Sequence, residues 1–446
     1  MDSHMHLPEG NEAVEILRQY LRIDTTNPPG NEIEAGRFLG SILEREGIPY
    51  AIYESRPGRA SLAARLKGDG TRRPVLLLNH MDVVGVERGE WSVDPFGGVV
   101  RDGFIWGRGA LDMKGMGIMQ LMALLQAKRN GLKLSRDIIF LAVADEEANG
   151  SLGAKWMFEN HPAELACEFV LNEGSYGIAD YAGLRRPLFP VSTAEKGPVW
   201  LRIATRGDAG HGSMPPDAHA AHRLVGVLNR LVAWKQKPVL SPEIASLLAA
   251  VGRHMDNPLA GWLLKRSASP WVWPLLKPVL MRIRTMRSML ANSMSINMLS
   301  SGQKENVVPS RAEAVVDFRL LPEVDPRDFV ERAKRRLGLA REEMEVVMLE
   351  AGSRSPKDTE LFAALEYAIR RTYPGAVVAP NLSVGFSDSR FFRQRGTTAY
   401  GIIPLLLRHE ELDTIHGHDE RIEIEAFFKG IDIIYDTIRY LNGLAS

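Results

Sequence analysis

The sequence has little cysteine, no net charge and no long apolar run. Cys167 is the one cysteine among 446 residues, so no internal disulfide can form. Lys plus Arg and Asp plus Glu each number 55. This balance argues against nucleic acid or an anionic membrane as the main partner. No apolar run reaches the ~18 residues that a membrane span requires. With 45% hydrophobic and 25% charged residues, the chain has the composition of an ordinary globular protein.

The length of the chain predicts two or three domains, at roughly 150 residues for each. The first residues show no signal-peptide pattern, because residues 12–22 form an amphipathic helical pattern with charges throughout. We therefore expect a cytoplasmic protein without a membrane span.

Both ends of the chain alternate apolar strands with helices. The predicted strands are 74–79, 137–144, 168–172 and 398–403, and the predicted helices are 113–130, 153–159, 360–371 and 422–441. Buried apolar strands that alternate with helices are typical of an α/β layer. The pattern therefore predicts an α/β domain with a mixed, largely parallel sheet.

The middle of the chain follows a different pattern. Alternating strands are predicted at 199–205, 293–300, 312–320 and 344–349, with helices at 219–235 and 327–337. This order suits a small antiparallel sheet backed by helices. We predict one domain from residues 1–195 and 353–446, and an inserted α+β domain from 196–352. A stretch rich in Pro, Trp and Leu, residues 241–290, interrupts the second domain and is interpreted as a helical packing insert.

Acidic and histidine-bearing clusters follow the apolar runs or stand beside glycine turns. They are His80-Met81-Asp82, Asp112, Asp145-Glu146-Glu147, Glu173 and 416–420. Ligands of open α/β sheets collect outside the carboxyl ends of the strands, so at least three clusters are expected in one crevice. Carboxylates crowd together only beside a compensating cation. Each cluster alone is ordinary loop sequence, but the five together predict a divalent metal, and His with carboxylates suits zinc.

Further motifs extend this series along nearly the whole chain. They are 91–96, 106–115, 172–174, 210–213, 306–309 and Ser387-Asp388. In this order the motifs resemble the M20 metallopeptidases, which include glutamate carboxypeptidase, succinyl-diaminopimelate desuccinylase, aminoacylase and yeast carboxypeptidase S groups. Residues 317–322 and 387–390 favour the carboxypeptidase S-like branch.

The resemblance implies two zinc ions in each chain, with Co²⁺ or Mn²⁺ as alternatives. Asp112 would bridge the two ions. His80 and Glu173 would complete the ligands of one ion, and Glu147 and His416 those of the other. Paired metals of this kind lie ~3.5–4 Å apart.

The resemblance also implies two residues that support the reaction without binding metal. Glu146 would be the general base that takes a proton from the attacking water and passes it to the leaving amine. Asp82 would hold the His80 ring in its ligating tautomer. The His-x-Asp spacing puts both side chains on one face of an extended segment, which suits that role.

Residues of the inserted domain complete the expected substrate site. His211 is implied to reach the active site of a partner subunit and to stabilise the oxyanion, which makes the inserted domain a lid and a homodimer interface. Arg319 and Asn306 resemble positions that hold the substrate carboxylate or the reacting carbonyl, and Gly385 opens a loop with backbone amides for the carboxylate. A turn histidine, a salt-bridged arginine and a turn asparagine are the plain alternatives. Phe386 departs from the family, where relatives often carry a small residue or Thr.

The predicted activity is dizinc-dependent hydrolysis of an amide bond in short peptides or N-acyl amino acids with a free C-terminal carboxylate. Phe386 and residues 271–280 are expected to offer an apolar wall to the substrate. A deacylase or desuccinylase of other acyl groups is an alternative on the same scaffold. A metal-binding scaffold without catalysis is a second alternative, against which the intact Glu146 argues.

Overall fold

The computed structural model describes residues 11–181 and 183–444, so both ends of the predicted first domain extend beyond the described residues. Its helices are α1 Glu12–Leu21, α2 Glu32–Arg45, α3 Lys114–Arg129, α4 Ala154–Asn160, α5 Ala220–Val232, α6 Pro242–His254, α7 Pro258–Lys265, α8 Trp273–Leu280, α9 Arg284–Leu290, α10 Pro326–Leu337, α11 Glu360–Thr372, α12 Ser389–Arg393, α13 His409–Leu412 and α14 Ile424–Leu441.

The strands are interspersed with these helices along the chain. They are β1 Tyr50–Arg56, β2 Arg59–Leu66, β3 Val75–His80, β4 Val99–Arg101, β5 Phe104–Trp106, β6 Ile138–Val143, β7 Phe169–Ile178, β8 Leu188–Glu195, β9 Gly197–Arg206, β10 Gly210–His211, β11 Ser293–Ser301, β12 Val307–Val308, β13 Arg311–Leu320, β14 Met344–Leu349, β15 Ser353–Arg354, β16 Val377–Ser383, β17 Thr398–Leu407 and β18 Arg421–Glu423.

The central sheet has nine strands and is mixed, as predicted. Its path runs β1-β2-β6-β3-β7-β17-β8-β15, and β16 pairs with β8. The four middle strands, β6, β3, β7 and β17, are parallel to one another, so their carboxyl ends lie along one edge. Every residue of β3 and β6 is buried, which explains their uninterrupted apolar runs.

Helices cover the central sheet on both faces. The helices α1, α2, α3, α11 and α14 bury their apolar residues in one large core against it. A smaller core on the other face includes side chains of α4 and α12. This layering is the α/β arrangement that alternating strands and helices predict.

A second sheet has four antiparallel strands in the order β11-β13-β9-β14. The helices α5 and α10 pack on it, and the rings of Trp234 and Phe329 stack there with centroids 5.2 Å apart. The central sheet's strand β8 ends at Glu195 and β9 begins at Gly197. The division of the chain into two domains at these residues stays a prediction.

The 241–290 insert consists of the helices α6 to α9. Its buried side chains contact the central sheet: Ile244, Leu247 and Leu276 lie in one core with Val377 and Ala379 of β16. The insert interrupts the strands of the smaller sheet in sequence, but it packs against the larger sheet in space.

No helix in the part of the chain that the structure describes has the length and the apolar character needed to cross a bilayer.

Candidate metal centre

The parallel strands bring the sequence clusters to one edge of the central sheet. β3 ends at His80, Glu146 and Glu147 follow β6, and Glu173 lies within β7. His416 follows β17 in the chain. Because the strands are parallel, residues far apart in sequence meet at this edge.

A bulge directs Glu173 toward this edge. Along β17, Gly401 pairs with Asn172 and the next residue pairs with Ser175, so two residues of β7 are left out of the register. They are Glu173 and Gly174, and a Cβ on Gly174 would lie only 2.5 Å from the carbonyl carbon of Gly401. Bulges of this kind re-aim a side chain beside a site.

Two of the loops also contain non-glycine residues with positive φ. Asp145, which precedes Glu146, has φ 70°, and His416 has φ 59°. The Asp145 carboxylate accepts hydrogen bonds from Arg59 Nη2 at 3.0 Å and from the Leu152 amide at 3.0 Å, which hold this conformation. Such backbone conformations concentrate at functional sites.

Five side chains form the metal-ligand cluster: His80, Asp112, Glu147, Glu173 and His416. Asp112 stands in its centre, because Oδ1 lies 3.2 Å from His80 Nε2 and Oδ2 lies 3.1 Å from His416 Nε2. Glu173 Oε2 is 3.7 Å from His80 Nε2, and Glu147 Oε1 is 3.3 Å from His416 Nε2. The cluster therefore divides into two triads that share Asp112.

The Asp82 side chain anchors the loop of the expected general base. Its two carboxylate oxygens accept the backbone amides of Glu146 and Glu147, each at 3.1 Å. His80 Nδ1 is 2.9 Å from the Asp82 carbonyl oxygen and 3.6 Å from the carboxylate. The backbone of Asp82 thus contacts the imidazole more closely than the carboxylate that the sequence suggested for this role.

Glu420 is a site residue to which sequence reasoning gave no role. It is fully buried, and its carboxylate accepts the backbone amides of Gly109, Leu111 and Asp112 at 2.7–3.0 Å. Arg108 Nη1 also donates to it at 2.7 Å. The cluster at 416–420 indicated that Glu420 lies near the site. Sequence alone does not distinguish a carboxylate that binds metal from one that holds a loop by hydrogen bonds.

Asp388 is a second such residue. It is buried, both of its carboxylate oxygens lack a hydrogen-bond partner within the described residues, and Arg390 Nη1 is 3.7 Å away. Burial raises the pKa of Asp388 to about 7. A Cβ on Gly150 would lie 2.3 Å from Asp388 Oδ1, so this carboxyl group lies against the loop that carries Glu146.

Burial and crowding shift the pKa values of the cluster. Burial raises the pKa of Glu173 to about 7 and the pKa of Glu146 well above its ordinary value. Hydrogen bonds to Asp112 and Glu147 raise the pKa of His416 to about 10. Burial disfavours the charged form of Asp112, but hydrogen bonds from His416 and His80 outweigh it and lower the pKa of that carboxyl. The site concentrates more carboxylate charge than its two imidazoles neutralise.

The donor set fits two divalent metal ions. In each triad the ligand atoms lie within 4.8 Å of one another. Glu147 Oε1 faces His416 Nε2 at 3.3 Å, and Asp112 Oδ2 faces the same nitrogen at 3.1 Å, so two carboxylate oxygens and an imidazole nitrogen converge on one point. Imidazole nitrogens with carboxylate oxygens and no thiolate suit zinc and related transition ions.

Arg319 and Phe386 meet where the two sheets adjoin. The Arg319 guanidinium carbon lies 4.9 Å from the centre of the Phe386 ring, and that of Arg390 lies 4.7 Å from it. Asp317 accepts two hydrogen bonds from Arg319 Nε and Nη2 at 2.8 and 2.9 Å. The strand arginine is therefore salt-bridged, as in the plain alternative, and also lies beside the loop that Gly385 opens.

His211 is the last residue of β10 and Asn306 directly precedes β12, the strand with which β10 pairs. The Gly212 amide donates to the Asn306 carbonyl at 2.9 Å, and His211 Nδ1 lies 2.7 Å from Ser213 Oγ. His211 is exposed. Across residues 11–181 and 183–444, no hydrogen bond or ion pair joins His211 or Asn306 to the metal-ligand cluster.

Residues 271–280 provide no enclosed wall for a substrate. The side chains of Trp271 and Leu275 are exposed, while Leu276 and Leu280 pack into the core beneath the central sheet. Two apolar features were predicted for the substrate pocket, Phe386 and residues 271–280. Of these, Phe386 lies beside Arg319, a residue expected to bind substrate.

Comparison with known proteins identifies the family of the chain. The sequence matches Peptidase family M20/M25/M40 over residues 76–440. Probable carboxypeptidase S-like 2 of Dictyostelium discoideum is 28% identical over 393 residues, which are 85% of this chain and 74% of that protein. Aminoacylase-1 of Sus scrofa is 30% identical over 444 residues, which are 97% of this chain and 95% of that protein.

The fold agrees as well. The crystal structure of the M20 family metallo-carboxypeptidase Sso-CP2 from Sulfolobus solfataricus superposes with a TM-score of 0.77 at 20% identity, covering 97% of this chain and 100% of that one. The match spans most of the chain in sequence and nearly all of it in structure. The chain therefore belongs to Peptidase family M20/M25/M40, a family of metal-dependent enzymes, and is a hydrolase that acts on amide bonds.

Proposed function

We propose that this hydrolase uses two zinc ions to cleave the amide bond of N-acyl amino acids or short peptides that end in a free carboxylate. The position of Asp112 carries the proposal. Its two oxygens lie at 3.2 and 3.1 Å from the imidazoles of His80 and His416, so one carboxylate serves two triads. A shared carboxylate of this kind is what a two-metal hydrolase requires.

Five residues would hold the ions. One ion would be bound by His80, Asp112 and Glu173, and the other by Asp112, Glu147 and His416. Co²⁺ or Mn²⁺ would suit the same donors. The chemistry that two bound ions supply is Lewis-acid activation of the scissile carbonyl and of the attacking water.

Glu146 would transfer the protons of the reaction. It neighbours the ligand Glu147, its loop is fixed by the Asp82 carboxylate, and burial raises its pKa well above the ordinary value. A carboxylate with a raised pKa can take a proton from water and later donate it to the leaving nitrogen.

The free carboxylate of the substrate would bind where Arg319 and the Gly385 loop meet. Arg319 presents a planar cation, and the backbone amides of the loop add donors. Phe386 would give this pocket an apolar side, which favours an apolar group near the scissile amide. A diaminopimelate-like charged side chain would fit it poorly.

His211 and Asn306 would act across a homodimer. Both are exposed at the β10–β12 ribbon, and no hydrogen bond or ion pair joins them to the metal-ligand cluster of their own chain among the residues described. A partner subunit would bring His211 to the oxyanion and Asn306 to the reacting carbonyl. The cytoplasmic location expected from the sequence stays a prediction.

The test is a substrate panel with the metal-free and the reconstituted enzyme. N-acyl amino acids of rising chain length, dipeptides, succinylated amino acids and the C-terminal amide of each substrate are compared. Zinc or cobalt should restore activity after chelation, and free acids should be cleaved far better than their amides. Equal cleavage of acids and amides would refute the carboxylate site. Full activity without bound metal would refute the dizinc mechanism, and no turnover of any substrate would favour the scaffold alternative.

Variants of the neighbouring residues Glu146 and Glu147 distinguish the general base from the metal ligand. Glu146→Gln should lower kcat by about 10²–10⁴ and leave the metal content unchanged, because only the proton transfer is lost. Glu147→Gln should lower the metal content itself. Metal loss in Glu146→Gln, measured by elemental analysis, would mean that the two roles are exchanged.

A further inference from the structure

Residues 257–290 of the insert expose many side chains that are apolar or basic. We call these side chains together the insert face and define it as the exposed Leu259, Trp262, Lys265, Arg266, Trp271, Leu275, Val279, Arg282, Ile283, Arg284 and Arg287 with the half-buried Lys277. The apolar members are largely exposed, with Trp271 at 86% and Leu275 at 67%. The two exposed tryptophans among the described residues both belong to this face. Exposed apolar side chains concentrated in one segment mark an interaction site.

Helical spacing explains why these side chains point outward. In α8 and the turn before it, Trp271, Leu275 and Val279 recur every four residues and are exposed, while Leu276 and Leu280 are buried against the central sheet. In α7, Leu259 and Trp262 are three residues apart, and the Arg266 guanidinium lies 4.8 Å from the Trp262 ring. Both helices thus have an inner face that packs on the fold and an outer face without a partner in the described chain.

The charge of the segment differs sharply from that of the whole chain. Residues 257–290 contain six Lys or Arg and no Asp or Glu, although the complete sequence has a net charge of zero. None of the six forms an ion pair with a carboxylate within residues 11–181 and 183–444. The equal number of basic and acidic residues in the whole sequence argued against an anionic membrane as a partner. That balance does not hold for this face, which is basic.

The composition of the insert face indicates which kind of partner binds there. Tryptophan and aliphatic side chains beside Lys and Arg are typical of segments that lie in the headgroup layer of a bilayer. A symmetric contact with a second copy would set six cations against six, with no acidic residue to pair them. Nucleic acid would use the tryptophans for stacking but would leave Leu275, Val279 and Ile283 exposed to water.

We propose that the insert face docks this protein on the surface of anionic phospholipid membranes, with the tryptophans at headgroup depth and the basic side chains on lipid phosphates. The binding is peripheral, in agreement with the absence of a membrane-spanning helix among the described residues. It is independent of the metal centre, since the face includes no residue of the metal-ligand cluster.

The experiment measures co-sedimentation of the full-length protein with vesicles of phosphatidylcholine, with or without phosphatidylglycerol. The wild type should bind the anionic vesicles, should bind neutral ones much less, and should be released by added NaCl because salt screens exposed charges. Arg282→Glu/Arg284→Glu should lower the partition coefficient about tenfold or more, since each basic residue near an anionic surface contributes several-fold. Trp262→Ser/Trp271→Ser should lower it as well and should abolish any lipid-induced blue shift from these two tryptophans.

Matched controls lie elsewhere on the surface. Arg327 and Arg335 of α10 are exposed, as are Val225 and Val232 of α5. Arg327→Glu/Arg335→Glu and Val225→Ser/Val232→Ser should bind vesicles like the wild type, and circular dichroism should show that all variants fold. The proposal is overturned if the wild type does not prefer anionic vesicles, or if the controls lose binding as much as the insert variants. It is also overturned if the insert variants alter only the oligomeric state, because the face would then be an interface between copies.

Discussion

At the scale of single residues, buried charges decide which loops can present a ligand. Glu420 is the clearest case. Its carboxylate accepts hydrogen bonds from three backbone amides of one loop and from the guanidinium of Arg108, and one of those amides belongs to Asp112. The position of the shared metal ligand therefore depends on a side chain about three hundred residues away in sequence.

Glu420→Gln tests this dependence. The amide keeps the shape but loses the charge and one acceptor, so Arg108 and part of the loop lose their partner. We expect zinc affinity to fall about 10–100-fold and the free energy of unfolding to fall by about 3 kcal/mol or more. Chelator competition and denaturant unfolding measure the two effects, with the exposed Glu410→Gln as the control. Unchanged zinc affinity would show that the loop keeps its position without Glu420.

Lys196 gives a pH-dependent prediction at the same scale. It is buried between the two sheets, where its Nζ donates to the Ala291 carbonyl at 2.7 Å. Burial, together with the nearby Arg319, lowers the pKa of Lys196 to about 7. The unfolded chain, with a lysine pKa of about 10.4, binds more protons between these values. The contribution of Lys196 to the free energy of unfolding therefore increases as the pH rises from about 7 to about 10.

The comparison with Lys196→Met isolates that contribution. The free energy of unfolding of the wild type should increase relative to the variant as the pH rises through this interval. Urea titrations of both proteins at several pH values measure it. Parallel curves would mean that Lys196 keeps its proton in the folded state.

At the scale of elements, the bulge in β7 positions Glu173. The prediction is that Gly174→Ala disrupts it, because the new Cβ would lie 2.5 Å from the backbone of β17 and would force the strands apart. Activity and the content of one metal ion should both fall, and the protein should lose about 1–3 kcal/mol of stability. Gly89→Ala is the matched control, since a Cβ there meets nothing within 4 Å. Full metal content in Gly174→Ala would show that the bulge does not set the position of Glu173.

At the scale of the whole molecule, the β10–β12 ribbon predicts cooperation between subunits. A mixture of His211→Ala and Glu146→Gln proteins should regain activity after subunit exchange, because each hybrid dimer has one site with both a working base and a working histidine. Random exchange predicts about a quarter of the wild-type activity. Each variant alone provides the baseline. No recovery after exchange, verified by native mass spectrometry, would remove His211 from the partner's site.

Much of the fold was predictable because apolar runs and helical periodicity are local features of the sequence. The strands β3 and β6 are continuous apolar runs, since a central parallel strand is buried on both faces. The helices α3 and α14 agree with their predicted bounds within a few residues. The convergence of His80 and Glu147 also followed from sequence, because parallel strands end at one edge.

Other features depend on contacts between distant segments. The register shift at Glu173 is a property of the pairing of β7 with β17, and the role of Glu420 depends on a loop far away in sequence. The insert packs on β16 although its sequence neighbours belong to the other sheet. The sequence by itself therefore determined the middle strands of the central sheet, the longer helices and the order of the metal-binding motifs, because periodicity and residue chemistry are local. The tertiary structure alone decided which carboxylates anchor loops and which side of the insert stays exposed, because these follow from long-range packing and strand register.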